Sequence, residues 1–136
     1  MAVYFADTSF WVALVDRRHL RVPRESCRMV VEESGSILTS EAVLLETANT
    51  LSRPDWREKA IALINHIRAR DDVEVVPFES SIRDRGWTLF SKRLDKSWSL
   101  TDCISFEVMQ ERGLVEALAA DSHFRQAGFH PVLLDS

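Results

Sequence analysis

Cysteine is scarce in this sequence, and long apolar runs are missing. The two cysteines among the 136 residues, Cys27 and Cys103, each stand alone in a helical pattern. That spacing excludes a disulfide framework and a cysteine zinc site, and it favours free thiols that fill small spaces in the core. No apolar run approaches the roughly 20 residues that cross a bilayer, and no signal-peptide pattern precedes the first apolar segment. We therefore expect a cytoplasmic protein without a membrane segment.

An excess of basic residues, the usual mark of a nucleic-acid-binding protein, is also missing. The 17 lysines and arginines are outnumbered by 21 aspartates and glutamates, which gives a formal net charge of −4. The net charge does not exclude local clusters of one sign. Where acids gather in one pocket, a bound metal ion can reverse the local charge. Basic residues form two groups along the chain: Arg17, Arg18, Arg21, Arg24 and Arg28, and then Lys92, Arg93 and Lys96. Nucleic acid therefore stays compatible with the sequence as a partner.

Short apolar segments rich in β-formers alternate with helical patterns along the chain. Strands are predicted at 2–5, 37–39, 73–78 (ended by Pro77), 115–120 and 131–135. Helices are predicted at 8–15, 23–33, 41–51, 55–70, 81–94, 101–112 and 122–126, with Ser40 as an N-cap and Gly113 as a C-cap residue. This alternation is typical of an α/β fold in which helices cover both faces of a mainly parallel sheet. The length fits a single domain over residues 1–136.

Four acidic residues stand where such a fold places ligands, beyond the carboxyl ends of the strands. Asp7 and Asp121 each follow a predicted strand directly, and Asp102 opens a helix that should start at the same edge. Glu46 lies inside an apolar helix, on a side that is not freely solvated. Taken singly, the aspartates are ordinary helix N-caps or dipole partners, and Glu46 is a partly exposed helix residue or a partner of Arg53.

Taken jointly, the acids predict a metal site. Close carboxylates repel one another and raise each other's pKa, so a protein retains such a cluster mainly where a cation neutralises it. Ligands that are all oxygen suit a hard ion such as Mg²⁺ or Mn²⁺. Hydroxyl side chains accompany the acids at Thr8, Ser9 and Thr101. They act either as helix caps, a role that fits Thr101 best, or as groups that orient a carboxylate or a metal-bound water.

Four segments, DTSFWVAL, SEAVLLETANTL, SLTDCISF and ALAADSHFRQAGF, give the chain a resemblance to the PIN-domain ribonucleases, and within them to the VapC toxins of toxin–antitoxin pairs. The resemblance covers essentially the whole chain and is most specific in the last two segments, while residues 54–98 match only in helical pattern. It implies a compact α/β/α sandwich with an acidic Mg²⁺ or Mn²⁺ site. The site residues that it implies are Asp7, Glu46, Asp102 and Asp121, with Thr8 or Ser9 and Thr101 as the accompanying hydroxyls.

The resemblance also implies a reaction, the hydrolysis of RNA phosphodiester bonds that leaves 5′-phosphate and 3′-hydroxyl ends. Asp7 and Asp102 are then expected to contact metal directly, and Asp121 to bind a second metal or hold a ligand water. Glu46 is expected to orient or deprotonate the attacking water. His123, close to Asp121, is expected to be a side chain of a helix cap region.

RNA contacts are expected from the basic residues and the tryptophans. The first choice for phosphate contacts is the group Arg17, Arg18 and Arg21, although a solvated charged loop is an equally good explanation of each. Trp98 is the first choice for stacking on a base, with Trp87 and Trp11 as further candidates, while Trp11 and Trp56 fit the core or an interface better. The resemblance adds two protein partners, an antitoxin and a second copy in a homodimer. The helices at 40–70 offer apolar surface for either, or for ordinary core packing.

Three other interpretations compete with a nuclease. A receiver domain would need paired acids after the first strand and a phosphorylatable aspartate after the middle strand, but Asp7 precedes Thr8 and the middle strand ends at Pro77. A phosphatase of the haloacid dehalogenase type would need a second aspartate where Ser9 stands. A catalytically dead PIN-like protein that only binds RNA or protein is disfavoured by the intact acids but stays open.

Overall fold

The computed structural model describes residues 2–16 and 35–134. Several sequence-based expectations lie outside those residues. They are the predicted helix at 23–33, the free thiol at Cys27, and the proposed phosphate contacts Arg17, Arg18 and Arg21.

The described residues form five strands and six helices, which we number in chain order. The strands are Val3–Ala6 (β1), Ser36–Ser40 (β2), Val73–Val76 (β3), Glu116–Leu118 (β4) and His130–Pro131 (β5). The helices are Thr8–Ala13 (α1), Glu41–Thr50 (α2), Pro54–Ala69 (α3), Ser80–Lys92 (α4), Leu100–Arg112 (α5) and His123–Gln126 (α6). None of the helices in these ranges combines the length and the apolar character that crossing a membrane requires.

The five strands form one sheet in the order β3-β2-β1-β4-β5, and every neighbouring pair is parallel. β1 lies at the centre, where Phe5 is paired with Leu38 of β2 and Ala6 with Leu118 of β4. The chain moves outward from β1 in both directions, so right-handed crossovers place helices on both faces of the sheet. The predicted α/β fold with a parallel central sheet is therefore confirmed. The pairing also brings the carboxyl ends of β1 and β4 side by side.

The core is built from the apolar faces of the sheet and the helices. Its largest fully buried side chains are Phe5, Phe10, Leu44, Ile67, Met109, Leu118, Phe124 and Leu133. Cys103 is a buried free thiol, as predicted, and burial raises the pKa of this thiol to about 11. Close packing of this kind holds the strand ends and the helix starts in fixed positions relative to one another.

The helix ends follow the predicted capping residues. The Ser40 hydroxyl accepts a hydrogen bond from the Val43 backbone N–H at 3.2 Å, and this bond caps α2. Gly113 ends α5 with φ at 67°, a left-handed conformation that glycine adopts without a steric penalty. The prediction for the last strand is wrong in extent, because β5 covers only two residues. The Leu134 N–H donates to the Pro131 carbonyl at 3.1 Å, so the chain turns there and does not extend along the sheet.

Helices α4 and α5 approach each other closely at Gly86. A Cβ atom built on Gly86 would lie 2.5 Å from Cγ1 of Ile104 and 3.2 Å from its Cα. Only glycine fits this contact without displacing α5. Because Asp102 lies in the first turn of α5, Gly86 helps to set the position of that carboxylate.

Candidate metal centre

Asp7 lies between β1 and α1, at the carboxyl edge of the sheet. Its backbone N–H donates to the Leu118 carbonyl at 3.2 Å, which ties it to the end of β4. The side chain is only 4% exposed. Although Asp7 is at the N-cap position of α1, its carboxylate makes no capping hydrogen bond. The ordinary explanation of Asp7 as a helix cap therefore fails for its side chain.

The Asp7 carboxylate is held on one side only. The Ser9 hydroxyl donates to Oδ2 at 3.2 Å, whereas the buried Oδ1 has no hydrogen-bond partner among the described residues. The neighbouring Thr8 Oγ1 is buried and without a partner in the same part of the chain. Of the two hydroxyls expected to accompany Asp7, Ser9 is the one that contacts it. A buried oxygen without a partner is costly and calls for an explanation.

Repulsion from the other three acids is among the causes that raise the pKa of Asp7. Burial is the main cause that raises the pKa of Asp7 to about 8, followed by repulsion from Asp102 and then from Asp121. Glu46 adds a smaller repulsion in the same direction, and the Thr8 backbone N–H partly opposes these effects. Asp7 is thus near enough to the other three acids to be affected by their charge, but among the described residues the group whose ligand atoms all lie within 4.8 Å of one another does not include Asp7 or Glu46.

Asp102 has two roles at the start of α5. Its Oδ2 accepts the Ser99 backbone N–H at 3.0 Å, while its own N–H donates to the Ser99 hydroxyl at 2.9 Å. This reciprocal pair is a capping box. The expectation that Thr101 fits the cap role is wrong, because Ser99 occupies the N-cap position. Burial raises the pKa of Asp102, and the Ser99 N–H is the largest influence that lowers it.

Asp121 follows β4 and begins the turn into α6. Its Oδ1 accepts the His123 backbone N–H at 3.0 Å, but Ser122 is the N-cap residue of α6, so the explanation of Asp121 as the N-cap is wrong. The same turn brings the His123 ring to Asp102, where Nδ1 lies 3.0 Å from Oδ2. Ligand atoms of Asp102, Asp121 and His123 all lie within 4.8 Å of one another. The position of His123 in the cap region agrees with the prediction. The contact of its ring with Asp102 was not predicted from the sequence.

Glu46 reaches the cluster from α2, where it is half-buried. The alternative pairing with Arg53 is not made, because the Arg53 guanidinium binds both oxygens of Asp55 at 3.3 and 2.9 Å. Its contribution to the pKa of Asp7 is the smallest among the acids. Glu46 thus acts on the pKa of Asp7 less strongly than Asp102 and Asp121 do.

These residues fit a divalent cation. The acids repel one another, Asp7 and Asp102 have raised pKa values, and one buried oxygen of Asp7 has no partner among the described residues. A cation would offset all three costs at once. The donors are mainly carboxylate oxygens, which suit Mg²⁺ or Mn²⁺.

The expectation for Trp98 as a stacking platform is wrong in this structure. The ring is only 6% exposed, packs edge-on against Phe106 at 5.1 Å, and donates from Nε1 to Gln126 at 3.0 Å. The Arg93 guanidinium lies over the ring, 5.0 Å from its centroid. Trp98 therefore anchors the loop before α5 to α6. Trp11 is in the core, as expected, and Trp87 is 57% exposed.

The topology separates this chain from the receiver alternative. Receiver-like folds have the strand order 2-1-3-4-5, whereas this sheet has the order β3-β2-β1-β4-β5. A parallel sheet in that order, with acidic residues beyond the carboxyl ends of the neighbouring strands β1 and β4, fits a PIN-like fold. The chain belongs to the PIN domain family, which it matches over residues 4–130. The resemblance seen in the sequence is therefore confirmed.

Comparison with individual proteins shows which members of the PIN domain family this chain is similar to. The chain is 32% identical to the 23S rRNA-specific endonuclease VapC20 of Mycobacterium tuberculosis over 128 residues, which cover 92% of this chain and 94% of the relative. The crystal structure of that VapC20, described as a Sarcin-Ricin loop cleaving toxin, superposes with a TM-score of 0.81 at 30% identity, covering 96% of this chain and 98% of the other. VapBC2 from Rickettsia felis, bound to a promoter DNA fragment, gives a TM-score of 0.66 at 12% identity over 93% and 94%. At that identity the second likeness concerns the fold alone.

Proposed function

We propose that this protein is a metal-dependent endoribonuclease, the toxin of a toxin–antitoxin pair, which cleaves the sarcin–ricin loop of 23S rRNA. The observation that supports the chemistry most directly is Asp7, a nearly fully buried carboxylate beside three other acids, with one oxygen that lacks a partner among the described residues. The choice of substrate rests on the relative VapC20, whose name states that target. Because ribosomes are cytoplasmic, we also propose that the protein acts in the cytoplasm.

In the proposed mechanism each acid has a distinct role. Asp7 and Asp102 would hold a Mg²⁺ or Mn²⁺ ion directly, and Asp121 would hold a second ion or a water of the first. When bound, the ion would lower the pKa of a water and offset negative charge on the phosphate oxygens. Glu46 would accept a proton from the attacking water. Ser9 keeps the Asp7 carboxylate in one orientation through its 3.2 Å hydrogen bond.

The proposed contacts to the phosphate backbone of the RNA come from basic residues. Arg17, Arg18 and Arg21 remain the first proposal, although they lie outside the described residues. A second group is Arg93 and Lys96, in the loop that Trp98 fixes against α6. Contacts of this kind make affinity fall steeply as salt rises. RNA binding that is insensitive to salt would contradict them.

We also propose an antitoxin and a second copy of this chain as partners. Helices α2 and α3 expose Leu45 and Ile61, at 60% and 57%. Ile61, but not Leu45, also lines a groove of about 470 Å³ together with Ala48, Leu51 and Ile64. These exposed apolar side chains offer surface for either partner. Measuring the mass in solution with and without a co-expressed antitoxin tests both proposals. A monomer that does not associate with the antitoxin would contradict them.

The test of function is cleavage of 70S ribosomes and of a synthetic sarcin–ricin hairpin by the purified protein. We expect one cut in the loop, loss of cleavage in EDTA, and recovery with Mg²⁺ or Mn²⁺. The Asp7→Asn variant should bind RNA but not cut it. Full activity of pure Asp7→Asn protein would refute the assignment. RNA binding by the wild type without metal-dependent cleavage would instead identify a catalytically dead PIN-like protein.

A further inference from the structure

We infer that His123 is a positioning residue that fixes the orientation of the Asp102 carboxylate for metal binding. The inference rests on the proposed metal-dependent activity. It goes further by assigning a role to a side chain outside the acidic set.

His123 contacts three parts of the site. Its Nδ1 lies 3.0 Å from Oδ2 of Asp102, and its Nε2 lies 3.4 Å from the Ser97 hydroxyl. Its backbone N–H donates to Oδ1 of Asp121 at 3.0 Å. The imidazole thus spans the space between α5 and the loop before it, while the main chain of the same residue is held by Asp121.

The roles of the two ring nitrogens depend on the tautomer. An ionised carboxylate can only accept hydrogen bonds, so we take Nδ1 as the nitrogen that donates to Asp102. In the neutral ring Nε2 is then the acceptor, and the Ser97 hydroxyl donates to it. Both nitrogens have partners in this arrangement, so we assign His123 a role through Asp102, although its ring also lies within 4.8 Å of the ligand atoms of Asp102 and Asp121.

Asp102 needs such support because like charges surround it. A ligand atom of Asp121 lies within 4.8 Å of that of Asp102, and repulsion from Asp121 raises the pKa of Asp102. Two donors hold the Asp102 carboxylate in place, the Ser99 backbone N–H and His123 Nδ1, and both bind Oδ2. Neither donor occupies Oδ1, so the carboxylate is held firmly while one oxygen stays available to a cation. Partners of this kind are worth about 10- to 100-fold in metal affinity or activity.

Amide side chains can separate the two ring contacts. In His123→Asn the amide nitrogen takes the place of Nδ1 and can still donate to Asp102. In His123→Gln it takes the place of Nε2, so the contact with Ser97 can survive and the one with Asp102 is lost. His123→Ala loses both, and Ser97→Ala removes only the outer partner. Thermal unfolding in EDTA checks that each variant is folded.

The readouts are Mn²⁺ affinity by titration calorimetry and kcat and KM for cleavage. We expect His123→Ala and His123→Gln to weaken Mn²⁺ binding and to lower kcat by about 10- to 100-fold with KM for RNA little changed. His123→Asn and Ser97→Ala should stay close to the wild type. If Mn²⁺ affinity and kcat fall in His123→Asn but not in His123→Gln, His123 only anchors the loop through Ser97. Equal loss with His123→Asn and His123→Ala would make the imidazole a ligand, and either result overturns the inference.

Measurements on the wild type distinguish a failure of this inference from a failure of the proposed function. If the wild type binds Mn²⁺ and cleaves RNA while all three variants at position 123 match it, only the role of His123 is refuted. If the wild type neither binds Mn²⁺ nor cleaves RNA, the proposed function fails and the inference fails with it.

Discussion

Replacing Asp7 by asparagine should stabilise the metal-free protein while abolishing its response to metal. The substitution keeps the size of the side chain and removes a charge that is only 4% exposed. In the metal-free protein, burial and the neighbouring acids raise the pKa of Asp7 from 3.8 to about 8. The native protein therefore retains a proton that the unfolded chain has already released. The effect on stability follows from that difference in bound protons.

The sign of the effect is set by the raised pKa. The stability associated with Asp7 is fully present below pH 3.8, and it is lost as the pH rises toward 8. Between those values the free energy of unfolding falls by about 1.4 kcal/mol per pH unit, roughly 5 kcal/mol in all. The asparagine side chain does not titrate, so the Asp7→Asn variant escapes this loss. Its advantage in melting temperature should be small at pH 4 and reach roughly 10 °C or more at pH 8.

Thermal unfolding in EDTA at pH 4 and pH 8 measures this difference. Asp71→Asn is the matched control, because Asp71 is an exposed acid that precedes β3 at the opposite edge of the sheet. Adding Mn²⁺ at 100 times its dissociation constant should stabilise the wild type by about 2.7 kcal/mol at pH 8, and it should leave Asp7→Asn unchanged. If Asp7→Asn is no more stable than the wild type at pH 8, or if Mn²⁺ stabilises both equally, the reasoning is refuted.

Three further substitutions test separate parts of the account. Gly86→Ala should lower the free energy of unfolding by about 1–3 kcal/mol, because its Cβ would meet Ile104 at 2.5 Å. Unchanged stability in urea titration would contradict the close approach of α4 and α5. Glu46→Gln should lower kcat by about 10²- to 10⁴-fold while Mn²⁺ binding persists, and loss of Mn²⁺ affinity in calorimetry would make Glu46 a ligand instead. Trp98→Phe should lower the free energy of unfolding by about 1 kcal/mol, because the hydrogen bond to Gln126 is lost, and it should leave RNA affinity unchanged. Weaker RNA binding in anisotropy measurements would instead support the stacking role.

The positions of the acids were predictable from the sequence because they follow from topology. Asp7 and Asp121 directly follow apolar strands, and parallel strands end at a common edge. Asp102 opens a helix that returns to that edge. The N-cap at Ser99 was also predictable, since Ser99 and Asp102 have the spacing of a capping box. The prediction instead favoured Thr101, which directly precedes Asp102.

Exposure and ring contacts were not predictable in the same way. Trp98 lies in a polar loop, and its burial depends on Phe106 and Gln126, which come from two helices further along the chain. The contact of His123 with Asp102 joins residues 21 positions apart. It depends on how α6 is placed against α5, which no local pattern encodes. The short extent of β5 has a similar cause, because the turn after Pro131 replaces the ladder that an apolar run suggests.

The most direct test of the central claim is anomalous X-ray scattering from crystals of the protein grown with Mn²⁺. We expect an anomalous peak at the carboxyl edge of the sheet, within coordination distance of Asp7 and Asp102, with the Asp7 Oδ1 among the ligands. Ordered density for these carboxylates at saturating Mn²⁺ without such a peak, or a peak at a different group of residues, would contradict the claim.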